Sequence, residues 1–513
     1  MLKRSRALAS VALIAVVSGL AAPTWADTLQ EAIALAYRTN PSLLAQRANQ
    51  RALDESIVQA RAGLRPQLDV TATSGYSWSE SPGGLRDVDT NGDGIPDATL
   101  NVPASNSDST SGGLSIGLSQ TIWSGGRIGH GITAAEANIL AGRENLRDIE
   151  QTVLASVIQA YADVIRDTEI LNIRQSNLGV LQRQLDESSA RFEVGEITRT
   201  DVAQSEARLA QSEADLANAQ AQLSVSRAAY AAVVGQAPAD LAPMPALPNL
   251  PGDFDSALDV ALLDNPGIRA AGYNLRAAEA NVAAAKAEYM PSARLTASYG
   301  GATADLGSPG DIADNTSFTA GASISVPLFT GGLNGSRVAQ VREQANIAQI
   351  NLEGERRNTL QSVSSAYAQS LSARSTLTAG LEAVRAATVA AEGVRQEAQV
   401  GLRTTLDVLN QELELRNAEV TLASARRNEY VAQANLLAAM GRLEGADLDP
   451  TLTVYDPVDN YERVRNRGAL PWDGLIEAID RIAAPPVVPA NDAVDAPIDA
   501  QLKSEIIQTA PRE

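Results

Sequence analysis

A short acidic segment near residue 90 carries the residues whose spacing comes closest to a metal-binding motif. Counting from Asp89, oxygen-bearing side chains fall at positions 1, 3, 5 and 9, and glycine occupies position 6. Calcium loops use this spacing, because alternate oxygens surround the ion and glycine permits the sharp turn. Leu100 replaces the usual acid at position 12, so another ligand or water would complete the shell. We expect calcium binding by Asp89, Asn91, Asp93 and Asp97, with Asp87. The alternative is a solvated loop, since Asn-Gly and Asp-Gly are ordinary turn pairs.

The rest of the composition argues against an enzyme. The 513 residues include no cysteine and one histidine, His130. Thiolate sites, disulfides, a lipidated cysteine and multi-histidine metal sites are therefore excluded. His130 follows Gly129 near a predicted helix start, and we expect it to be solvated. The net charge of −20 disfavours nucleic acid, which needs a basic face. We expect no required cofactor, with calcium at the acidic loop as the one candidate ligand.

The elements that carry these residues occur twice along the chain. Asn40-Pro41 returns as Asn265-Pro266, an offset of 225 residues. Val194-Gly195 returns as Val400-Gly401, an offset of 206. The difference of 19 residues is an insertion in the first copy, and it contains the acidic loop. We predict a first repeat over 27–235, a proline-rich linker over 236–254, a second repeat over 255–448, a C-terminal region over 449–483 and a disordered tail over 484–513.

Each repeat begins with a predicted helix, over Thr28–Gly63 and Asp255–Glu288. Two segments follow in which apolar and small polar residues alternate, which predicts a pair of strands. In the first repeat the apolar positions run from Leu68 to Trp78 and from Leu114 to Ile122. In the second repeat they run over 295–299 and 318–328. Strands of about ten residues suit a tilted membrane strand, and an ordinary half-buried hairpin is the alternative.

A long helix and a return helix complete each repeat. Apolar residues recur every seven positions over 132–160, slip by four, and resume over 164–192. That pattern predicts a coiled-coil helix over Arg127–Arg191, ~100 Å long at 1.5 Å per residue. Each long helix ends at a glycine turn, Gly195 or Gly401, which suits a left-handed C-cap. Thr198 and Thr404 are predicted to cap the return helices, with Asp201 and Asp407 three residues on.

The N-terminus reads as a secretory signal over residues 1–26. Lys3, Arg4 and Arg6 precede a short apolar run, Val11 to Ala22, and a cleavage site before Asp27. The run is shorter than the ~20 residues of a spanning helix, and no later apolar run is long enough either. Any membrane crossing by the mature chain would therefore use strands. Four strands cannot close a barrel, whereas three chains would supply twelve.

With this order of elements, the chain resembles the TolC family of outer-membrane efflux and secretion channels. The resemblance covers about Asp27 to Leu448 and rests on the duplication, the strand-end motifs ending in Gly125-Gly126 and Gly331-Gly332, and the turn 400–409. It implies an α+β membrane protein: a homotrimer whose 12-stranded β-barrel, four strands per chain, continues into a long α-helical coiled-coil barrel in the periplasm. It also implies docking to a periplasmic adaptor and an inner-membrane transporter of ABC or RND type.

The resemblance also implies a closable entrance at the helix turns. By position, Arg403 matches the family's linking arginine, and Thr200 and Asp201 match its partners. Asp407 matches the first of two aspartates that ring the entrance, where it would attract cations and repulsion would raise each pKa. The second position is Asn410, and the linking tyrosine is Ala398, so we expect a less negative, more loosely latched entrance. The alternative is that Asp407 only starts a helix, as Asp201 does.

The resemblance leaves the cargo open. We favour type I protein secretion, because a calcium-bearing extracellular loop suits calcium-dependent exported proteins; drug or metal efflux is the alternative. A trimeric coiled-coil surface or adhesion protein with a calcium loop is a rival of another class, but an adhesin stalk has no need of duplicated strand pairs. The expected location is the Gram-negative outer membrane, in contact with its lipid.

Overall fold

The computed structural model describes residues 28–490. The predicted signal peptide and residues 491–513 of the predicted tail lie outside that range. Two compact units are distinguished along the chain. The first comprises 28–39, 156–246 and 380–427, and the second comprises 40–155, 247–379 and 428–490. No helix within 28–490 is both long enough and apolar enough to cross a membrane.

The second unit contains an antiparallel four-stranded sheet that confirms the predicted strand pairs. Its strands follow the order β1-β4-β5-β6. They are β1 (Gln67–Ser81), β4 (Ser105–Trp123), β5 (Ser292–Thr303) and β6 (Thr316–Ser325). Strands β1 and β4 contain 15 and 19 residues, which is more than the ten expected. The alternation fixes the register, because a shift of one residue would turn every apolar side chain to the other face.

The register aligns side chains of one kind in rows across the sheet. Val70 lies opposite Ile116, which lies opposite Tyr299, which lies opposite Phe318. These four apolar side chains are between 45% and 70% exposed. On the opposite face, Gln67, Ser119, Thr296 and Gly321 form an equally continuous polar row. The sheet thus has an apolar and a polar face, and its apolar face is uncovered in the single chain.

The insertion forms a separate hairpin that sequence patterning did not predict. Its strands are β2 (Gly84–Val88) and β3 (Ala98–Val102), and they pair only with each other. The acidic loop 89–97 connects them. Five-residue strands without strict alternation carry too weak a signal to be recognised from sequence.

The first predicted helix of each repeat is broken, which corrects the expectation of single helices over 28–63 and 255–288. The backbone at Asn40 and Asn265 is extended, and each asparagine side chain accepts hydrogen bonds from the amides two and three residues further on. A new helix therefore starts at the proline that follows each asparagine. Proline cannot continue a helix but fits its first turn. The segments are α1 (Leu29–Thr39), α2 (Pro41–Asp54), α3 (Ser56–Ala62), α6 (Phe254–Asp264) and α7 (Pro266–Ala287).

The long helices are confirmed. The two helices that follow the strand pairs each contain 67 residues. The return helices end just before Gly235 and close to Gly441, and both glycines adopt the left-handed backbone conformation. The four elements are α4 (Arg127–Glu193), α5 (Arg199–Val234), α9 (Leu333–Gln399) and α10 (Thr405–Ala439). The connection from β5 to β6 contains α8 (Asp311–Asp314).

The C-terminal region, which is part of the second unit, packs on the start of α4 through buried polar contacts. The short helix α11 (Gly445–Leu448) ends the second repeat, and the C-terminal region contains α12 (Val458–Val464) and α13 (Asp473–Asp480). The fully buried Asp480 carboxylate accepts bonds from the Ser124 amide and hydroxyl, at 2.5 and 2.8 Å, and from the Gly129 amide at 3.0 Å. A buried carboxylate needs such partners, so this segment is anchored at the start of α4.

The same contact corrects the expectation for His130. Its Nε2 atom is buried without a hydrogen-bond partner, and burial lowers its pKa. Residues 480–485 lie over the start of α4 and leave His130 half-buried, so it is not the fully solvated residue predicted.

Candidate functional site: the two helix-hairpin turns

The turn between α4 and α5 has the predicted capped geometry. Gly195 has φ 77°, and the amides of Gly195 and Glu196 donate back to the carbonyls of Phe192 and Arg191, each at 2.9 Å. Both bonds use carbonyls that the end of a helix leaves free, and glycine adopts this conformation without strain. The return helix then begins with a capping box: Thr198 and Asp201 bond each other's backbone amides.

The turn between α9 and α10 repeats this backbone. Gly401 has φ 78°, and the Leu402 amide donates to the Glu397 carbonyl at 2.9 Å. The Thr404 amide and hydroxyl donate to Asp407 Oδ2 at 3.0 and 2.8 Å. These bonds, the amide's first, lower the pKa of Asp407, and Arg403 adds a smaller effect in the same direction. The predicted caps at Thr198 and Thr404 are therefore confirmed.

The charged side chains of the two turns differ. In the first, Arg191 donates to Glu196, with Nη2 3.1 Å from Oε1. The position 206 residues beyond Arg191 is Glu397, which accepts a bond from Arg403 Nε at 2.7 Å. This bond raises the pKa of Arg403. The equivalent position is thus basic in one hairpin and acidic in the other.

The structure does not join the five predicted entrance residues within one chain. Arg403 pairs with Glu397 and makes no hydrogen bond to Thr200 or Asp201 within residues 28–490. Asp201 bonds Thr198, and that bond lowers its pKa. Asn410 accepts a bond from Arg208 Nη2 at 2.9 Å. The α5–α10 contact at Arg208 could not be found from sequence, because it joins positions 202 residues apart.

Sequence reasoning also missed a buried acid close to the second turn. The Glu412 side chain is 3% exposed and contacts Arg395 on α9 and Arg416 on its own helix. Arg416 further pairs with Glu419 at 2.8 Å. Glu206, the equivalent residue of the first hairpin, is exposed. Near that turn α4 and α5 are joined by neutral contacts, Ser188 to Ser205 and Asn177 to Ser212, each at 3.2 Å. Farther from the turn the Arg174–Asp215 ion pair, at 3.2 Å, also joins them.

The acidic loop does not gather its carboxylates around a common point. Asp89 accepts from the amides of Gly92 and Gly94, at 2.6 and 2.7 Å. Asp97 accepts from Thr90, whereas Asn91 and Asp93 bond each other. These bonds lower the pKa of Asp89 and Asp97. Across 28–490 no group of three or more His, Cys, Asp or Glu side chains could hold a metal ion. In this conformation the loop is closed by its own amides.

Comparison with known proteins identifies the protein family to which this fold belongs. The family model described as outer membrane efflux protein matches residues 32–236 and 257–442. BepC of Brucella suis, an outer membrane efflux protein, is 33% identical over 88% of this chain and 92% of its own. TolC of Escherichia coli is 27% identical over 84% and 85%. The alkaline protease secretion protein AprF of Pseudomonas aeruginosa is 26% identical over 81% and 84%.

Solved structures show the same fold. The outer membrane protein VceC of Vibrio cholerae superposes with a TM-score of 0.64 at 23% identity, over 80% of this chain and 96% of its own. The open MtrE channel of Neisseria gonorrhoeae gives 0.64 at 24% identity, over 81% and 89%. The chain therefore belongs to the outer membrane efflux protein family, which the sequence resemblance had indicated. It is a Gram-negative outer-membrane protein that extends into the periplasm, in a family of outer-membrane channels.

Proposed function

We propose that three copies of the chain form the exit duct of a tripartite export system. The observation that carries the proposal is the apolar row Val70, Ile116, Tyr299 and Phe318, which crosses all four strands and is uncovered. Uncovered apolar surface of this extent marks a membrane or a partner surface. We assign this face to the outer-membrane lipid and the polar face to the lumen.

The unpaired edges of the sheet support a trimer. In the order β1-β4-β5-β6, strands β1 and β6 each have one unpaired side. Unpaired backbone N–H and C=O groups cannot remain exposed to lipid, where each would lose its hydrogen bonds with water. Pairing β1 of one chain with β6 of the next satisfies both edges. Three copies then close a barrel of twelve strands, an even number within the bacterial range.

The helix hairpins supply the periplasmic part of the proposed duct. We assign the turns at Gly195 and Gly401 to its entrance, with an adaptor and an ABC- or RND-type transporter as partners. Asp407 is proposed as the entrance ring that selects cations, and Arg403 as a latch that uses Thr200 and Asp201. The support is the position of these residues in matching turns and the charge difference between the turns.

For the cargo, we propose exported protein, in a type I secretion system. The relative AprF, whose name describes alkaline protease secretion, supports this choice. Efflux of drugs or metals is the second candidate, favoured by the higher identity to BepC, named an efflux protein. The adhesin alternative receives no support from the relatives.

A deletion strain separates these candidates. Secretion predicts loss of one or more proteins from the culture medium and unchanged tolerance to dyes, detergents and metal salts. Efflux predicts the reverse, and expression of the intact chain restores either phenotype. Purified protein in planar bilayers tests the duct itself: detergent-extracted trimers that form no pores would favour the adhesin and contradict the proposal.

A further inference from the structure

We infer that a cavity at the end of the polar sheet face nearest α4 binds an oxyanion. Repeated in three chains, it would form a cationic collar inside the duct. The site itself stands on contacts within the second unit. Only its placement in the lumen rests on the function proposed above.

The cavity lies where three strands meet the start of a long helix. Its volume is about 370 Å³. The register places Ser119 opposite Gln67 and Thr121 opposite Arg294, so these four side chains share the polar face. Arg65, which follows α3, and Arg127, the first residue of α4, line the cavity from the helical side. Three guanidinium groups therefore border one water-accessible space.

The three arginines have different surroundings. Arg65 is held by the Asp473 carboxylate at 2.8 Å and the Arg467 carbonyl at 2.6 Å, so much of its charge is compensated. Arg127 and Arg294 are exposed, and neither forms an ion pair with any residue from 28 to 490. They supply two positive charges per chain, in a protein whose overall formal charge is −20.

Within residues 28–490, no acidic side chain lines the cavity beside these two arginines. Asp473 is engaged by Arg65, and Asp480 by Ser124 and Gly129. Asp69, farther along the polar face of β1, accepts a bond from Thr71. None of the three lines the cavity. The first-turn amides of α4 are taken as well: Arg127 N and Ile128 N both donate to Ser124. The charged side chains that line the cavity are therefore all arginines, and they are the groups that would attract an anion.

The donor set defines the class of ligand. Guanidinium groups bind phosphate, sulfate and carboxylate strongly, because their planar fork matches paired oxygens. The Ser119 and Thr121 hydroxyls and the Gln67 amide can complete the coordination of such an oxyanion. Since lipid would cover the opposite, apolar face, we assign the site to a dissolved oxyanion or to carboxylates on passing cargo, and not to a lipid headgroup.

Inorganic phosphate is the probe, and the double variant R127Q/R294Q is the test. Arg65 is kept because it holds Asp473. The control R51Q/R342Q removes the same charge from exposed positions outside the cavity. Equilibrium dialysis of the full-length protein in detergent should show phosphate binding to wild type and control, and at least roughly tenfold weaker binding to the double variant.

The second measurement tests whether the phosphate site lies in the lumen of the duct. In planar bilayers, phosphate should reduce the current through wild type and control, with about tenfold less potency against R127Q/R294Q.

Equal phosphate binding by all three proteins would overturn the inference. If wild type forms no pores, the proposed function fails, while dialysis still decides whether the cavity binds phosphate. Binding with no effect on current would overturn the lumenal collar. Binding that required anionic lipid vesicles instead of free phosphate would overturn the assignment to a dissolved oxyanion.

Discussion

Arg403 and Glu397 form an ion pair across the second hairpin turn, with the guanidinium Nε 2.7 Å from the carboxylate Oε2. In the first hairpin the position of Glu397 is occupied by Arg191, and the charge order is reversed. Arg403 therefore has a partner within its own hairpin. A link from Arg403 to Thr200 or Asp201, as the family resemblance implies, would compete with this ion pair for the guanidinium.

Glu397→Gln and Arg403→Ala should change the closed entrance in opposite directions. Glu397→Gln frees Arg403 for the link and should lower single-channel conductance. Arg403→Ala removes the link and should raise it. The change should be about two- to fivefold in either direction, since exposed ion pairs bias an equilibrium only weakly. Glu196→Gln, which breaks the pair of the first turn, serves as the control. Equal conductance in all variants would show that Arg403 does not latch the entrance.

Asp407 should set cation selectivity, with a pH dependence that Thr404 modulates. The Thr404 bonds lower the carboxylate pKa, so Asp407 stays charged as pH falls until that lowered pKa is reached. Thr404→Val removes the hydroxyl donor and should move the loss of selectivity to higher pH. If selectivity already disappears well above pH 4 in wild type, repulsion within a ring outweighs the capping bonds.

Matched variants of the first turn separate the entrance ring from simple helix capping. Asp407→Ala should abolish cation selectivity and blockade by divalent ions. Thr198→Val and Thr198→Ala each remove the capping hydroxyl of the other hairpin and should leave both properties intact. Unchanged selectivity in Asp407→Ala would mean that this residue only starts α10. Reversal potentials across a salt gradient measure each case.

Glu412→Gln should loosen the second hairpin. The variant leaves Arg395 and Arg416 without the carboxylate they share. Breaking a buried pair costs about 3–5 kcal/mol, and we expect roughly 2 kcal/mol because Arg395 is half exposed. Hydrogen exchange should speed up in 385–420 and stay unchanged in the first hairpin. Glu206→Gln, at the equivalent exposed position, should have no effect. Equal protection in wild type and Glu412→Gln would rule out this stabilising role.

Calcium should bind loop 87–97 only weakly, if the sequence motif functions. Both Asp89 oxygens already accept amide hydrogens, and the carboxylates must converge before an ion can bind. Calorimetry on the full-length protein in detergent should give a Kd in the range of about 0.1–1 mM, typical of extracellular modules. The double variant D89N/D93N should show no binding heat. A wild-type titration without heat at millimolar calcium would leave the loop as a solvated turn.

Sequence periodicity predicted the parts of the fold that depend on local patterns. The alternation from Leu68 to Trp78 and the caps at Thr198 and Thr404 are confirmed because strand faces and helix starts follow from neighbouring residues. The break at Asn40 was missed, although proline at the first helical position is itself a local signal.

The contacts that sequence could not predict join distant residues. Arg208 meets Asn410, and Asp480 reaches Ser124, only after the helices pack. The partial burial of His130 accompanies the second of these contacts. The Arg403–Glu397 pair could have been predicted from the sequence, because only six positions separate the two residues across a predicted turn. The family resemblance instead implied Thr200 and Asp201 as the partners of Arg403.

The pairing of β1 with β6 of the next chain tests the central claim most directly. The chain has no cysteine of its own, so any disulfide between chains must join introduced cysteines. One cysteine replaces Leu68 or Val70 on β1, and one replaces Ala322 or Ile324 on β6, all on the apolar face. Oxidation in membranes should give covalent dimers and trimers for at least one of the four combinations, nothing larger, and no trimers with single cysteines. Products that stop at dimers, extend beyond trimers, or fail to form in every combination would contradict the closed three-chain barrel.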